Sequence, residues 1–411
     1  MGIYLSPSGK RRLSPSGKLI LGSSGGGCCC GGKCINVRDL ATDGANLYMA
    51  AYRRVGSGAH SYCCGMNQSL EIVTPRYFGD SYFGSVAFVE RSPHRVLQYD
   101  GSHVVFVTQY GPTYTFHKVH KTTGAISWWS RNLNNTYVTR LNKMDGYVFY
   151  PNAIYTGNVQ PFGGRMIGLS AGLQADSNYP IGYSGRVGNL VTAMKQVSST
   201  RAVCVGGSVE GSFITRLTWT PPVDDTFNSF AIGGENVWSA DGPDPYPPRH
   251  TVWLERNPNS RPIDVHMIGN AAIVAMSSRG VGYNPRHLIA VDYTTGDIIT
   301  QTNPANKSCL MSKADGSQIY ILYTTPGPSS ATRYFVDRYS YAGATLSRVW
   351  TSEVLHEQVG GSSGRPTCLE ILGGSVYVGY SCNSKGISLM KLSASSGEII
   401  SDHPPFPFII A

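Results

Sequence analysis

The chain is written in short apolar runs. "NLYMAAY", "HVVFVTQY", "YVFYPNAIY", "AAIVAM", "QIYILY" and "SVYVGY" are apolar or alternating, and each is bounded by Gly, Pro, Asn, Asp or Ser. Period-two alternation marks a half-buried strand, and a short unbroken apolar run between turn residues marks a strand buried on both faces. No 15-residue stretch carries a 3.6-residue apolar period. The pattern predicts many short strands and no helical layer.

The runs also repeat. Seven follow a small turn: Asp43-Gly44, Asp100-Gly101, Asp145-Gly146, Ser198-Ser199, Gly269-Asn270, Asp315-Gly316 and Gly373-Gly374. These turns lie about 45 to 70 residues apart, a spacing that suits propeller blades with variable loops. In four units a second turn follows, at Thr123-Gly124, Thr295-Gly296, Ala342-Gly343 and Ser396-Gly397. Strand, tight turn, strand reads as the outer hairpin of a blade. A four-stranded antiparallel blade buries its faces only against its neighbours, so such repeats must close into a ring. The expectation is an all-β chain: a β-propeller of seven four-stranded blades over residues 35–411, behind an extended N-terminal arm over residues 1–34. Six or eight blades would require a looser unit to be dropped or split.

The phrase "LIAVDYTTGDIIT" resembles the repeat of quinoprotein-like (PQQ-like) β-propellers, and the resemblance covers about residues 35–404. It implies a blade and says little about activity, because propellers carry many functions. Quinoprotein dehydrogenases of that family hold their cofactor between a tryptophan floor and an adjacent Cys-Cys disulfide, with a calcium ion nearby. Cys63-Cys64 and Trp128-Trp129 are residues of those types. The first pair falls at the expected end of the first blade's second strand. The second follows a Thr-Gly turn, where such families place a packing tryptophan. No calcium-ligand cluster matches, and the sialidase Asp-box Ser-x-Asp-x-Gly-x-x-Trp is absent. No enzyme is expected.

Composition narrows the picture. Gly 48 and Pro 24 with 14% charged residues are too apolar for a disordered chain and too rich in turns for a helical one. The net charge is +9, and Lys10, Arg11, Arg12, Lys18 and Lys33 have no acid beside them in the first 33 residues. A basic arm suits an acidic lipid surface or an acidic protein surface, while residues so few and dispersed weigh against nucleic acid. No stretch approaches the ~20 apolar residues of a membrane span, so no membrane insertion is expected. No export signal is visible.

The arm states "LSPSGK" twice, from Leu5 and from Leu13. Ser-Pro-Ser-Gly is a type I turn, so the arm divides into extended pieces at 3–5, 10–13 and 18–21. It loosely resembles the N-termini of bacteriophage structural proteins. Tyr4, Leu5, Lys10, Arg11, Arg12, Leu13 and Lys18 are its candidate partner contacts. Six of ten cysteines fall in the first 64 residues. Cys30, Cys34, Cys63 and Cys64 could give the four thiolates of a tetrahedral zinc site; a disulfide staple from the arm to the first blade is equally open, and free thiols are the third reading. No other cofactor is expected. A stiff loop at 239–250 holds Pro243, Pro245, Pro247 and Pro248, and Trp238 and Tyr246 accompany it as a second candidate contact. Asp224, Asp225 and Glu255 read as solvated loop acids. His117 and His120, three apart on a strand, face opposite sides.

Clustered cysteines without an export signal suit a particle assembled in a host cytoplasm and then released. The sequence reading is therefore a non-catalytic virion component, of a phage tail or capsid. It docks other virion proteins through residues 1–34 and displays its propeller toward a host receptor or glycan. The alternative is a cell-surface or extracellular propeller that binds a ligand or acts on glycans.

Overall fold

The computed structural model describes residues 35–55, 58–71, 73, 92–110, 113–132, 190–199, 201–207, 211–219, 251–255, 260–278, 287–303, 307–327, 331–358, 364–381 and 388–403, with short strands at 12–13, 19–20, 136–137, 142–144, 147–151, 153–154, 164–168, 179–180 and 232–233. Among them there is no helix. Among the described residues, seven antiparallel sheets of three or more strands draw their strands from within 35–66, 92–132, 142–180, 190–255, 260–302, 308–358 and 366–403. These are blades 1 to 7. In blades 1, 2, 4, 5, 6 and 7 the first-to-second connection falls at a turn read from the sequence, and Asp145-Gly146 of blade 3 lies outside the described residues.

Strand numbers differ from the uniform four expected. Blades 2, 3, 5 and 7 have four strands. Blade 1 has three among the described residues, and in blades 4 and 6 two segments share the outermost position. In blade 6, for example, Thr345–Thr351 and His356–Gln358 both pair with Thr332–Ala342. The first strand of each blade packs against the first strand of the next, and that of blade 7 returns to that of blade 1. The first strands therefore surround a common axis.

The turn motifs are physical devices. In blade 5, Asp292 Oδ1 accepts the backbone N–H groups of Thr294 (2.7 Å) and Thr295 (2.9 Å). The Gly296 N–H returns to the Asp292 carbonyl at 2.8 Å, with Gly296 at φ +84°. Only glycine enters that region without strain. Ser393 takes the aspartate's place in blade 7, accepting the Ser396 N–H at 3.2 Å. His120 takes it in blade 2, its Nδ1 accepting the Thr123 N–H at 3.2 Å. The outer turn is then tied to the inner turn of its own blade. The N–H groups of Lys121, Tyr293 and Ala394 reach the carbonyls of Ser102, Asn270 and Gly374 at 2.8, 2.8 and 3.0 Å.

Asp43 shows how such a turn also joins two blades. Its Oδ1 accepts the N–H groups of Ala45 and Asn46, and its Oδ2 accepts Tyr48 Oη–H (2.7 Å) and the Lys121 ammonium of blade 2 (2.9 Å). Burial pushes its pKa up, but Lys121 and the three other donors outweigh burial and hold it at about 2. A carboxylate whose pKa is lowered on folding stabilises the protein above its unfolded value near 4, and that contribution is lost as pH falls through 2. Asp43→Asn is predicted to cost about 2 kcal/mol at pH 7. In urea titrations the gap from wild type should close as pH approaches 2. A gap that stays constant across that range would remove the carboxylate from the account.

Candidate functional site

The axis is where this chain gathers polar side chains. In six blades the first strand carries a register shift at the same place: Val37/Asp39, Pro93/Arg95, Val191/Ala193, Pro262/Asp264, Cys309/Met311 and Pro366/Cys368. A bulge adds one residue, bends the strand and re-aims the side chains after it. Here the residue after the shift reaches the next blade. Asp39 Oδ2 accepts the Val96 N–H of blade 2 at 3.1 Å. Asp264 Oδ2 accepts Ser312 Oγ–H of blade 6 at 3.2 Å. Met311 Sδ accepts the Leu369 N–H of blade 7 at 3.2 Å. The bulged residue itself also bridges: Thr192 Oγ1–H donates to the Pro262 carbonyl, and Thr367 Oγ1–H to that of Val37, both at 2.6 Å.

A charged group crowns this arrangement. Lys313 Nζ donates to Glu370 Oε2 at 2.8 Å. Burial opposes the charge on Lys313, but the carboxylates of Glu370 (blade 7), Asp39 (blade 1) and Asp264 (blade 5) raise its pKa overall. One ammonium thus serves acids from three other blades. Glu370 shows the opposite balance, because burial raises its pKa more than Lys313 lowers it. Lys313 keeps 31% of its side chain accessible where Glu370 keeps 8%, so the pair presents its amine to solvent.

Beside it, His266 Nε2 lies 2.8 Å from Ser312 Oγ and 3.5 Å from Asp264 Oδ2. Serine, histidine and aspartate together invite comparison with a nucleophilic triad. The geometry does not fit one. Asp264 faces the same imidazole nitrogen that Ser312 uses, and it accepts the serine proton itself. Ser312 is fully buried, out of reach of a substrate.

The sequence-predicted residues lie elsewhere. Cys63 and Cys64 sit on the third strand of blade 1, Gly58–Met66, not the second, because the chain reverses between Val55 and Gly58. Both are buried, and as neighbours in a strand they face opposite sides. Cys64 packs in the core shared with blades 6 and 7, and Cys63 in the core shared with blade 2. Burial, then the nearby Cys64, pushes the Cys63 thiol well up. Cys30 and Cys34 lie outside the described residues. Among the described residues no three His, Cys, Asp or Glu side chains form a metal site. In the arm, Arg12 and Leu13 pair antiparallel with Ile20 and Leu19. Tyr4, Leu5, Lys10, Arg11, Lys18, Trp238, Tyr246, Asp224 and Asp225 lie outside the described residues. His117 and His120 do point apart: His117 is buried against Thr108 Oγ1 at 3.0 Å, and His120 caps its turn.

Sequence reasoning missed the axial cluster. Its signal was present in "RDLAT", "IDVHM", "MSKAD" and "CLEIL": a charged residue inside an apolar strand, just before the inner turn.

No family model and no curated protein matches this chain. Solved structures do. A candidate 6-phosphogluconolactonase from Bacteroides fragilis is similar at TM-score 0.55 and 12% identity, over 91% of this chain and 94% of that one. Sqt1 of Chaetomium thermophilum is similar at TM-score 0.51 and 10% identity, over 91% and 87%. A chain of the mitotic checkpoint complex is similar at TM-score 0.50 and 10% identity, over 84% and 83%. The fold is a β-propeller. At these identities the likeness speaks for the fold alone.

Proposed function

We propose that this chain is a non-catalytic binding scaffold, a propeller carried into a larger assembly by its N-terminal arm. The observation that carries this reading is the axial cluster. Among the described residues, charged groups of the inner strands join blades: Lys313 pairs with Glu370, Asp264 accepts from Ser312, and Asp39 accepts a blade 2 amide. The presence of a similar chain in the mitotic checkpoint complex supports a binding role for the fold.

The finer reading is a virion component. Residues 1–34 dock onto neighbouring structural proteins through Tyr4, Leu5, Lys10 to Leu13 and Lys18. The loop with Trp238 and Tyr246 faces a host receptor or glycan. The basic, twice-turned arm supports this, because so short and polar a segment gains order from a partner rather than from a core of its own.

The test is particle association. The full chain is predicted to co-sediment with large particles through moderate salt. A chain lacking residues 1–34 should melt at the same temperature and stay at the top of the gradient. Assembly of the truncated chain would refute arm docking. Recovery of the full chain only among small soluble species would remove the virion reading.

A further inference from the structure

Ring closure involves no exchanged strand among the described residues. Blade 7 takes its four strands from residues 366–403, and blade 1 takes its strands from residues 35–66. Side-chain packing holds the seam between them, together with the hydrogen bond from Thr367 to the Val37 carbonyl. So does a short segment just after blade 1, residues 67–71.

That segment starts beyond Met66, at the turn end of the blade, and reaches across to blade 7. Asn67 folds it. Asn67 Oδ1 accepts the N–H groups of Ser69 (2.9 Å) and Glu71 (3.0 Å), and its Nδ2 donates to Glu71 Oε2 at 2.8 Å. The bend places Leu70 at φ +65°, costly for a residue with a Cβ. Yet its side chain is 7% exposed, within the core of blades 1, 6 and 7. The Gln68 carbonyl accepts Tyr377 Oη–H at 3.0 Å and Lys391 Nζ–H at 3.2 Å, both from blade 7. The Gln68 carboxamide lies over Gly373. Backbone strain of this kind persists only where the surroundings over-determine it.

We propose that residues 67–71 form a latch that holds the ring shut, and that the seam between blades 7 and 1 is where the ring opens. The arm leads directly into Ile35, the start of the blade 1 inner strand. A partner holding residues 1–34 would therefore load one side of this seam. That last step rests on arm docking; the latch itself does not.

Hydrogen exchange by mass spectrometry on the full chain tests it, comparing wild type with the Tyr377→Phe/Lys391→Met double variant. Both blade 7 donors to Gln68 are removed, and the arm is untouched. Exchange in Ile35–Thr42 and Pro366–Leu372 is expected to rise about tenfold, while Ser260–Ile268 of blade 5 keeps its wild-type rate. Equal acceleration in all three strands, or none in the two seam strands, would overturn the latch. A truncated arm that fails to dock would leave this result unchanged, so the two readings fail separately.

Discussion

Gly397→Ala is expected to destabilise the protein by about 3 kcal/mol, from two terms that add. Gly397 closes the outer turn of blade 7 at φ +76°, a conformation that costs a residue with a Cβ roughly 1 kcal/mol or more. The new methyl would also meet the Trp350 ring of blade 6, with its nearest carbon at 2.6 Å. Trp350 cannot simply withdraw. Its Nε1–H donates to the Ala394 carbonyl at 3.1 Å, and Arg338 donates to the same carbonyl at 3.0 Å. Overpacking a fixed aromatic ring costs about 1–3 kcal/mol. Gly343→Ala is the control. Gly343 has φ +56° with nothing within 4 Å of an added Cβ, so only the backbone term applies. Urea midpoints should show Gly397→Ala losing two to three times as much. Equal losses would mean that Trp350 does not confine the turn.

Lys307→Met is the second large effect, expected at about 3–5 kcal/mol. Lys307 pairs with Asp337, which is fully buried in blade 6 and also accepts Thr351 Oγ1–H at 2.6 Å. The ammonium lies 4.0 Å from the centre of the Tyr323 ring. His287 of blade 5 adjoins this cluster, edge-on to Tyr323. Burial, then the charge on Lys307, holds its pKa at about 3, so His287 brings no positive charge at neutral pH. Removing Lys307 therefore leaves a carboxylate in the interior without its counter-charge. The destabilisation comes from that stranded charge more than from a lost attraction, because a buried pair roughly offsets its own desolvation. Lys307→Met/Asp337→Asn should recover most of the loss. If the double variant is as unstable as the single, the stranded-charge account fails.

Both effects bear on the scaffold reading. The interactions that a chemist would first suspect of catalysis in this ring join one blade to the next. The Lys307 pair borders the seam between blades 5 and 6, Trp350 stitches blade 6 to blade 7, and Lys313 reaches toward acids of blades 5, 7 and 1.

How much of this could be read beforehand differs by feature. The alternation of apolar residues and the Asp-Gly-like turns determined an all-β ring and the inner turns that lie among the described residues. These signals are local: a positive φ demands Gly296, and an aspartate two residues before a turn amide caps it, whatever surrounds them. The sequence by itself also carried the charged residues of the inner strands, but not their meaning. Lys313, Glu370, Asp39 and Asp264 lie as far as 331 positions apart and meet only because the ring closes and a bulge re-aims each strand. The same holds for Cys63 and Cys64, adjacent in sequence yet sent into different cores by the pleat, and for residues 67–71, an ordinary polar turn until blade 7 comes round to meet it. Local conformation followed from residue type, and contacts between blades were decided only by tertiary closure.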